Sequence, residues 1–170
     1  DVILVGDQGF IAWSPDNDSE RYRSFWTKTA NTSQNLRGVV HGNSIYVIVG
    51  DNGTIRTSVI GSACCSISED NGSSWISRSS GTTDNLSEVT FGNNTFIAVG
   101  DNGTIRTSAD NGTTWDNRTS GTTKFYGVTF GKNIFIAVGD NGTIRTSADN
   151  GTTWDNRTSG TTVNLRGVGF

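Results

Sequence analysis

Short apolar runs alternate with polar turns along the chain, most clearly between residues 86 and 119. Residues 86–92, Leu-Ser-Glu-Val-Thr-Phe-Gly, alternate apolar and polar side chains, which is typical of a half-buried strand, and Asn93-Asn94 follow as a turn signal. Residues 95–99 predict a second strand. The Asp-Asn-Gly sequence at 101–103 tolerates positive φ and predicts a type I′ or bulged hairpin. With further strands at 104–108 and 113–119, the pattern predicts a four-stranded antiparallel meander.

This pattern is repeated four times. The segment 96–123 recurs letter for letter at 135–162, and looser copies begin at Val49 and Val5. We divide the single repeat domain 1–170 into units of approximately 1–33 plus 164–170, 34–83, 84–123 and 124–163. Repeats with the spacing seen between residues 96 and 135 each indicate one supersecondary unit, which stacks on its neighbours. Because four-stranded sheets stacked around an axis bury both faces, we predict an all-β chain with the blades of a β-propeller.

A shared motif joins the third and fourth predicted strands. Residues 108–115 read Ser-Ala-Asp-Asn-Gly-Thr-Thr-Trp and match the Asp-box pattern Ser-x-Asp-x-Gly-x-Thr-Trp; residues 147–154 repeat them, residues 68–75 have Ser for Thr, and residues 14–26 form a copy broken by inserted residues. In this motif the chain resembles the BNR-repeat (Asp-box) propellers, which include sialidases and photosystem-assembly-factor-like proteins.

We expect a structural role for the box. Its Asp can accept hydrogen bonds from turn N–H groups, its Gly takes the positive-φ position, and its Trp packs between sheets. The residues concerned are Asp16, Asp70, Asp110, Asp149, Trp26, Trp75, Trp115 and Trp154. The rest of a calcium-binding EF-hand loop is absent, so no metal site is expected.

The two ends of the chain complement each other. Residues 164–170 match a first strand without a second, and residues 1–6 match a second strand without a first. We therefore predict that one blade is completed by the N- and C-terminal strands, the closure called Velcro in propellers. The closing strand can come from the same chain or from another chain, which would make a homo-oligomer. A fragment of a longer propeller is a third interpretation.

Composition and charge exclude several partners. The formal net charge is -3, so there is no basic field for nucleic acid. No apolar run approaches the roughly 20 residues that span a bilayer, and no membrane insertion is expected. A lysine-poor surface rich in Thr and Asn favours an extracellular or cell-surface location. Cys64 and Cys65 are adjacent in an inserted loop, and free thiols, a vicinal disulfide and pairing between chains all stay open.

Catalytic chemistry is not expected. The sialidases that share this motif need three arginines, a Tyr with a Glu, and an Asp for catalysis. Their Arg-Ile-Pro signature is missing from this sequence. The single His41 occupies the position of Phe91 and Phe130, which predicts aromatic packing, and no second histidine exists for a metal cluster. We expect no enzyme, no cofactor and no metal. A degenerate glycoside hydrolase relative is retained as an alternative.

One arginine position is shared between repeats. Arg56, Arg106 and Arg145 occupy the same place in the third strand, where the first unit has Ala12. A ring of guanidinium groups could hold an anion. Identity across repeats is what packing produces, so we predict that each arginine lies between blades and pairs with an Asp or stacks on a Trp.

Differences between repeats point to a binding surface. The beginnings of the four first strands carry Arg37, Glu88, Tyr126 and Arg166. In propellers this end faces the rim formed by the turns between second and third strands, so the four side chains are predicted to converge there. The sequence thus favours a noncatalytic binding or adhesion scaffold whose ligand is a protein or a glycan. The alternative is a structural protein that assembles by exchanging terminal strands.

Overall fold

The computed structural model describes residues 2–14, 26–59 and 75–170. These residues form strands joined by turns, with no α-helix among them. The strands are β1 (Val2–Val5), β2 (Phe10–Ser14), β3 (Trp26–Thr29), β4 (Leu36–Gly42), β5 (Ile45–Gly50), β6 (Ile55–Val59), β7 (Ile76–Arg78), β8 (Leu86–Gly92), β9 (Thr95–Gly100), β10 (Ile105–Ser108), β11 (Asp116–Asn117), β12 (Phe125–Gly131), β13 (Ile134–Gly139), β14 (Ile144–Ser147) and β15 (Asp155–Arg157).

The strands form four antiparallel sheets in chain order. The first sheet contains β1, β2 and β3, and the other three contain β4–β7, β8–β11 and β12–β15. Strand β8 contacts both β4 and β12, so these three strands are innermost, while β7, β11 and β15 lie at the outer edges. This arrangement confirms the predicted all-β fold with propeller blades.

The third blade shows how far the local pattern determines the strands. Strand β8 has the predicted bounds, and β9 and β10 differ from prediction by one residue at an end. Strand β11 contains only Asp116–Asn117, so the predicted strand 113–119 is too long. The reason is that the Asp110 carboxylate accepts hydrogen bonds from the N–H groups of Thr113 and Thr114 and holds these residues in a turn.

Two kinds of turn join the strands within a blade. Asn93 and Asn94 both have positive φ, 43° and 61°, in the two-residue turn between β8 and β9. In the next connection, Asp101–Gly103, Asn102 and Gly103 both have positive φ, and the Thr104 N–H donates to the Asp101 carbonyl at 2.9 Å, as the predicted type I′ turn requires. Gly103 has a φ of 69°, and a Cβ there would lie 2.4 Å from the Gly121 carbonyl oxygen, so glycine is required on both counts.

The core lies between blades. Three apolar clusters separate the four sheets, and strand β9 contributes to two of them because Phe96 and Ala98 face the second blade while Ile97 and Val99 face the fourth. All six residues of β9 are buried. Strand β13 has nearly the same sequence but exposes Ile134, since no further sheet in the described part of the chain covers its far face.

The ends of the chain do not form the predicted strand pair in the described part of the structure. The first sheet has three strands, and residues 164–170 belong to none of the sheets. These residues nevertheless lie beside β12, because a Cβ on Gly131 would fall 2.3 Å from the ring of Phe170. A Cβ on Gly92 would meet Phe130 in the same way, at 2.1 Å. The segment 164–170 therefore takes the position of an innermost strand without pairing with β1.

Candidate functional site

The candidate site is the rim where the inner strands begin, called here the B–C rim. It comprises the three-residue turns between the second and third strands of the blades and the residues that lead into β4, β8 and β12. The four turns are Asp7–Gly9, Asp51–Gly53, Asp101–Gly103 and Asp140–Gly142. Each begins with Asp and ends with a buried Gly at positive φ, so the backbone of the rim is almost the same in every blade.

Asparagine side chains connect neighbouring turns of the rim. Asn35, just before β4, accepts a hydrogen bond from the Gln8 N–H at 3.1 Å and donates one to the Asp51 carboxylate at 3.0 Å. Asn85 makes the equivalent two bonds at the next junction, each 3.0 Å long. Asn164 accepts the corresponding N–H bond at the last turn. Each of these amides therefore links one blade to the next.

Two ion pairs lie on the same rim. The Arg37 guanidinium donates to the Asp51 carboxylate, and Lys124 Nζ lies 2.8 Å from Asp101 Oδ1. The hydrogen bond from Arg37 lowers the pKa of Asp51. The arginine belongs to the same blade as its partner, whereas the lysine reaches back from the fourth blade to the third. Both pairs are partly exposed, so they organise the surface more than they stabilise the fold.

An aromatic side chain flanked by two cations stands next to the second ion pair. The Arg166 guanidinium lies 4.8 Å from the centre of the Tyr126 ring, and Lys124 Nζ lies 5.2 Å from it. Both distances are within the range of cation–π attraction. Within the described residues Arg166 has no carboxylate partner, so its charge is available to a ligand.

Glu88 is directed into the space between two inner strands. Its carboxylate accepts a hydrogen bond from the Val128 N–H at 3.0 Å and occupies the space beside Gly127, where a Cβ would lie 3.3 Å from Oε2. Burial raises the pKa of Glu88, and the bond from Val128 opposes part of that rise. Glu88 thus joins β8 to β12 and is less accessible than the rim cations.

The four side chains predicted to converge are only partly brought together. Tyr126 and Arg166 are in contact, and Glu88 reaches the same blade through its backbone bond. Arg37 is bound to Asp51 and makes no described contact with the other three.

Sequence reasoning missed Asp51, Asp101, Asn35, Asn85 and Lys124. The aspartates and asparagines recur at fixed places in the units, which made them look like scaffold. Lys124 could have pointed to the rim from the sequence alone, because it replaces the asparagine found before Leu36, Leu86 and Leu165.

The Asp-box turns lie away from this rim. In the fourth blade the Asp149 carboxylate accepts hydrogen bonds from the hydroxyl of Thr153, at 2.6 Å, from its N–H, and from the Ser147 hydroxyl. These bonds, led by that of the Thr153 hydroxyl, lower the pKa of Asp149 to about 2. Gly151 has a φ of 80°. Asp110 makes the equivalent bonds in the third blade.

The box tryptophans pack between blades. Trp75 and Trp115 are buried in two of the inter-blade clusters, and Trp154, in the last blade, is packed against the third. The indole N–H groups of Trp115 and Trp154 donate to the carbonyls of Gly112 and Gly151. Asp16 and Asp70 lie outside the described residues, as do Cys64, Cys65 and the side chain of Trp26.

The shared arginines lie between blades, but their partners differ from the predicted ones. Arg56 donates to the Asn31 carbonyl and Arg106 to the Gly81 carbonyl, both in the loop that leaves the preceding blade. Burial lowers the pKa of both arginines. Neither binds an Asp or stacks on a Trp in the contacts observed; both donate to a loop carbonyl, and Arg106 donates also to the Asn117 side chain.

His41 occupies the predicted aromatic position. Its ring centre lies 4.8 Å from that of Tyr46, and Phe91–Phe96 and Phe130–Phe135 form the same contact in the next two blades at 4.5 and 4.6 Å. Across the part of the chain that the structure describes, no three His, Cys, Asp or Glu side chains lie close enough together to hold a metal ion. No helix among the described residues has the length and apolar character needed to cross a membrane.

Solved structures share this architecture. YCF48 from Cyanidioschyzon merolae is 20% identical, with a TM-score of 0.54 over 71% of this chain and 36% of that chain. YCF48 bound to D1 peptide is 16% identical, with a TM-score of 0.65 over 98% of this chain and 53% of that one. The WD40 beta propeller domain of Doa1 is 14% identical, with a TM-score of 0.63 over 89% and 48%.

The chain thus spans between about a third and a half of the length of these structures, and at such identities the likeness concerns the fold. No curated protein sequence matches the chain. The DUF6242 beta propeller domain matches residues 11–165, which include most of all four blades. The chain belongs to the DUF6242 beta propeller domain family.

Proposed function

We propose that this chain is a noncatalytic propeller scaffold that binds an extended protein segment across the B–C rim. The observation that carries the proposal is the stack of Arg166 and Lys124 around Tyr126. Tyrosine and arginine dominate the binding energy of many protein interfaces, because they offer a large rigid area together with directed hydrogen bonds. A YCF48 structure of the same fold has a D1 peptide bound, which supports a peptide as the class of ligand.

The charges of the rim suggest the chemistry of the partner. Arg37 and Lys124 already pair with carboxylates, whereas Arg166 has no ion-pair partner in the described ranges. A segment with an acidic side chain beside an apolar or aromatic one would meet Arg166 and Tyr126 together. The carboxylates Glu88 and Asp51 accept bonds within the fold, which favours binding over catalysis.

The test is peptide selection followed by measured affinities. A phage-displayed random peptide library is selected on the chain, and enriched peptides are titrated against the wild type, Tyr126→Ala, Arg166→Ala and the control Arg157→Ala. Arg157 is an exposed arginine on the outermost strand of the same blade. We expect the two rim variants to lose about tenfold or more in affinity and the control to bind as the wild type does. Equal binding by all four proteins, or no enriched peptide, would refute the proposal.

A second candidate function is assembly through the terminal segments. Leu4 and Phe10 are 47% and 42% exposed on the three-stranded first sheet, and Phe170 is 64% exposed on the unpaired segment 164–170. The aligned strand pattern makes a second copy of this chain the occupant that fits both surfaces. Light scattering over a hundredfold range of concentration should then show masses above 18.1 kDa that fall on dilution. A constant mass of one chain at every concentration would reject this candidate.

A further inference from the structure

The junction between the third and fourth blades breaks a pattern that the other junctions share. The loops before β4 and β8, and the one before residue 165, read Thr-Ser-Gln-Asn-Leu at 32–36, Thr-Thr-Asp-Asn-Leu at 82–86 and Thr-Thr-Val-Asn-Leu at 161–165. The loop before β12 reads Thr-Thr-Lys-Phe at 122–125 and is one residue shorter. It lacks the residue that corresponds to Asp84 and carries Lys124 in place of the bridging asparagine.

The missing residue leaves one rim amide without its acceptor. Gln34 Oε1 accepts a hydrogen bond from Asn52 Nδ2 at 2.6 Å, and Asp84 Oδ1 accepts one from Asn102 Nδ2 at 2.8 Å. At the short loop no residue occupies this place, and Asn141 Nδ2 has no partner among the described residues.

The replaced asparagine leaves two further groups without their partners. The Asn52 N–H donates to the side chain of Asn85, but the equivalent N–H of Asn102 has no such acceptor, because position 124 is a lysine. Asp140 is the second group. Its Oδ1 is buried and accepts no hydrogen bond within the described part of the chain.

Asp101 Oδ1 is also buried without a hydrogen bond, but it lies 2.8 Å from Lys124 Nζ, and Asp140 has no such cation among the described residues. Asp51 is bound by an arginine and an asparagine, and Asp101 by a lysine and an asparagine. The fourth blade has Tyr126 at the position of Arg37, and the tyrosine side chain carries no positive charge that could pair with Asp140. A buried carboxylate oxygen without a partner is costly unless a ligand supplies a donor.

These unpaired groups line one cavity. It has a volume of about 500 Å³ and is bordered by Asn102, Lys124, Asp140 and Asn141, with Asp101 and two loop threonines completing the wall. Lys124 extends towards Asp101 and leaves the space in front of Asp140 open to a ligand. The cavity therefore holds a carboxylate acceptor and two N–H donors that the two preceding junctions satisfy with a Gln-Asn or an Asp-Asn pair.

We propose that this cavity binds the side-chain amide of an asparagine in a partner peptide, preceded by an aspartate or a glutamine. The amide oxygen accepts from the Asn102 N–H, and the amide NH₂ donates to Asp140, as the chain's own asparagines do at other junctions. The preceding side chain accepts from Asn141 Nδ2. This proposal rests on the proposed function, since it assigns part of the bound segment to one place on the B–C rim.

The experiment is an NMR titration of the ¹⁵N-labelled chain. The probes are the peptides acetyl-Gly-Asp-Asn-Gly-amide and acetyl-Gly-Asp-Ala-Gly-amide. The matched variant restores the common loop by inserting one aspartate after Thr123 together with Lys124→Asn, so that the chain fills its own cavity. Asp140→Ala is the second variant, and a urea unfolding curve of each protein establishes that it is folded.

We expect the asparagine probe to shift the amide signals of Asn102 and Asn141 in the wild type. Its affinity should be about tenfold higher than that of the alanine probe, which lacks both hydrogen bonds of the asparagine amide. Its affinity should fall by about tenfold in both variants, because Asp140→Ala removes the acceptor of the amide NH₂ and the restored loop fills the cavity. Equal affinity for both probes, or unchanged binding by the refilled variant, would overturn the inference.

The outcomes separate this inference from the proposed function. If library peptides bind at Tyr126 and Arg166 but the asparagine probe does not bind, the cavity assignment is wrong and the scaffold function stands. If the probe binds while no library peptide depends on those two residues, the proposed function fails and the cavity assignment stands.

Discussion

The placement of residues 164–170 can be tested with two glycine substitutions in equivalent positions. Gly92 ends β8 and Gly131 ends β12, and neither has a positive φ. A Cβ at Gly92 would lie 2.1 Å from the Phe130 ring, and one at Gly131 would lie 2.3 Å from the Phe170 ring. The two clashes are alike, but the two phenylalanines are not equally free to move.

The expected magnitudes follow from that difference. Phe130 is half-buried and packed against Phe135, with ring centres 4.6 Å apart, so Gly92→Ala must displace it from the core. Overpacking of this kind costs about 1–3 kcal/mol. Phe170 is 64% exposed and can move away, so Gly131→Ala should be neutral or stabilise slightly, since alanine restricts the unfolded chain.

The assay is urea unfolding followed by tryptophan fluorescence, with thermal unfolding as a second measurement. A loss of 1–3 kcal/mol corresponds to a fall in Tm of roughly 2–12 °C for a domain of this size. Equal destabilisation by the two substitutions would refute the reasoning, because it would mean that Phe170 is held as firmly as Phe130. A closed ring in solution would produce that result.

Three further predictions concern individual side chains. Folding lowers the pKa of the Asp149 carboxylate from 3.8 to about 2, so the stability that it contributes is present above pH 3.8 and is lost as the pH falls through about 2. Asp149→Asn should therefore be less stable than the wild type at pH 7 and equal to it near pH 2 in unfolding curves. A constant difference in stability between the two proteins would contradict this. Burial raises the pKa of Glu88, so its ionisation destabilises the fold as the pH rises above 4.5. Glu88→Gln can still accept the hydrogen bond from the Val128 N–H, so it should be at least as stable as the wild type at pH 7. A loss of more than about 1 kcal/mol in the free energy of unfolding would show that the charge itself stabilises the fold. Arg106→Met removes one bond to the loop of the preceding blade and one to Asn117 in its own blade, and it should cost about 1–3 kcal/mol in urea unfolding. The control Arg145→Met should cost less, and the reverse order would exclude a linking role for Arg106.

Much of the blade architecture was predictable from local patterns. The alternating residues 86–92 form β8 with the expected bounds, and Asn93-Asn94 form the expected turn. These elements depend on side-chain alternation and on the tolerance of Asn and Gly for positive φ, which are properties of neighbouring residues. The fourth strand was predicted too long because hydrogen bonds from the Asp110 side chain replace ladder bonds.

The candidate site was less predictable. Tyr126 and Arg166 were found because they differ between repeats, and they are in contact. Asp51 and Asn35 were missed because residues that recur in every repeat were interpreted as scaffold. Their hydrogen bonds on the rim also join residues that are far apart in sequence. The short loop at Lys124 was visible in the sequence, but its effect depends on the groups that it leaves unpaired across two blades.

The two identical segments, 96–123 and 135–162, separate what sequence determines from what tertiary structure decides. Both form the same second and third strands and the same turns, because backbone geometry follows local residue types. Their environments differ: Ile97 is fully buried, while its counterpart Ile136 is partly exposed for lack of a following blade. Asp101 is paired, and its counterpart Asp140 is not. The neighbouring blades determine which side chains are buried and which are paired. Identical residues therefore acquire different roles only when the blades pack together.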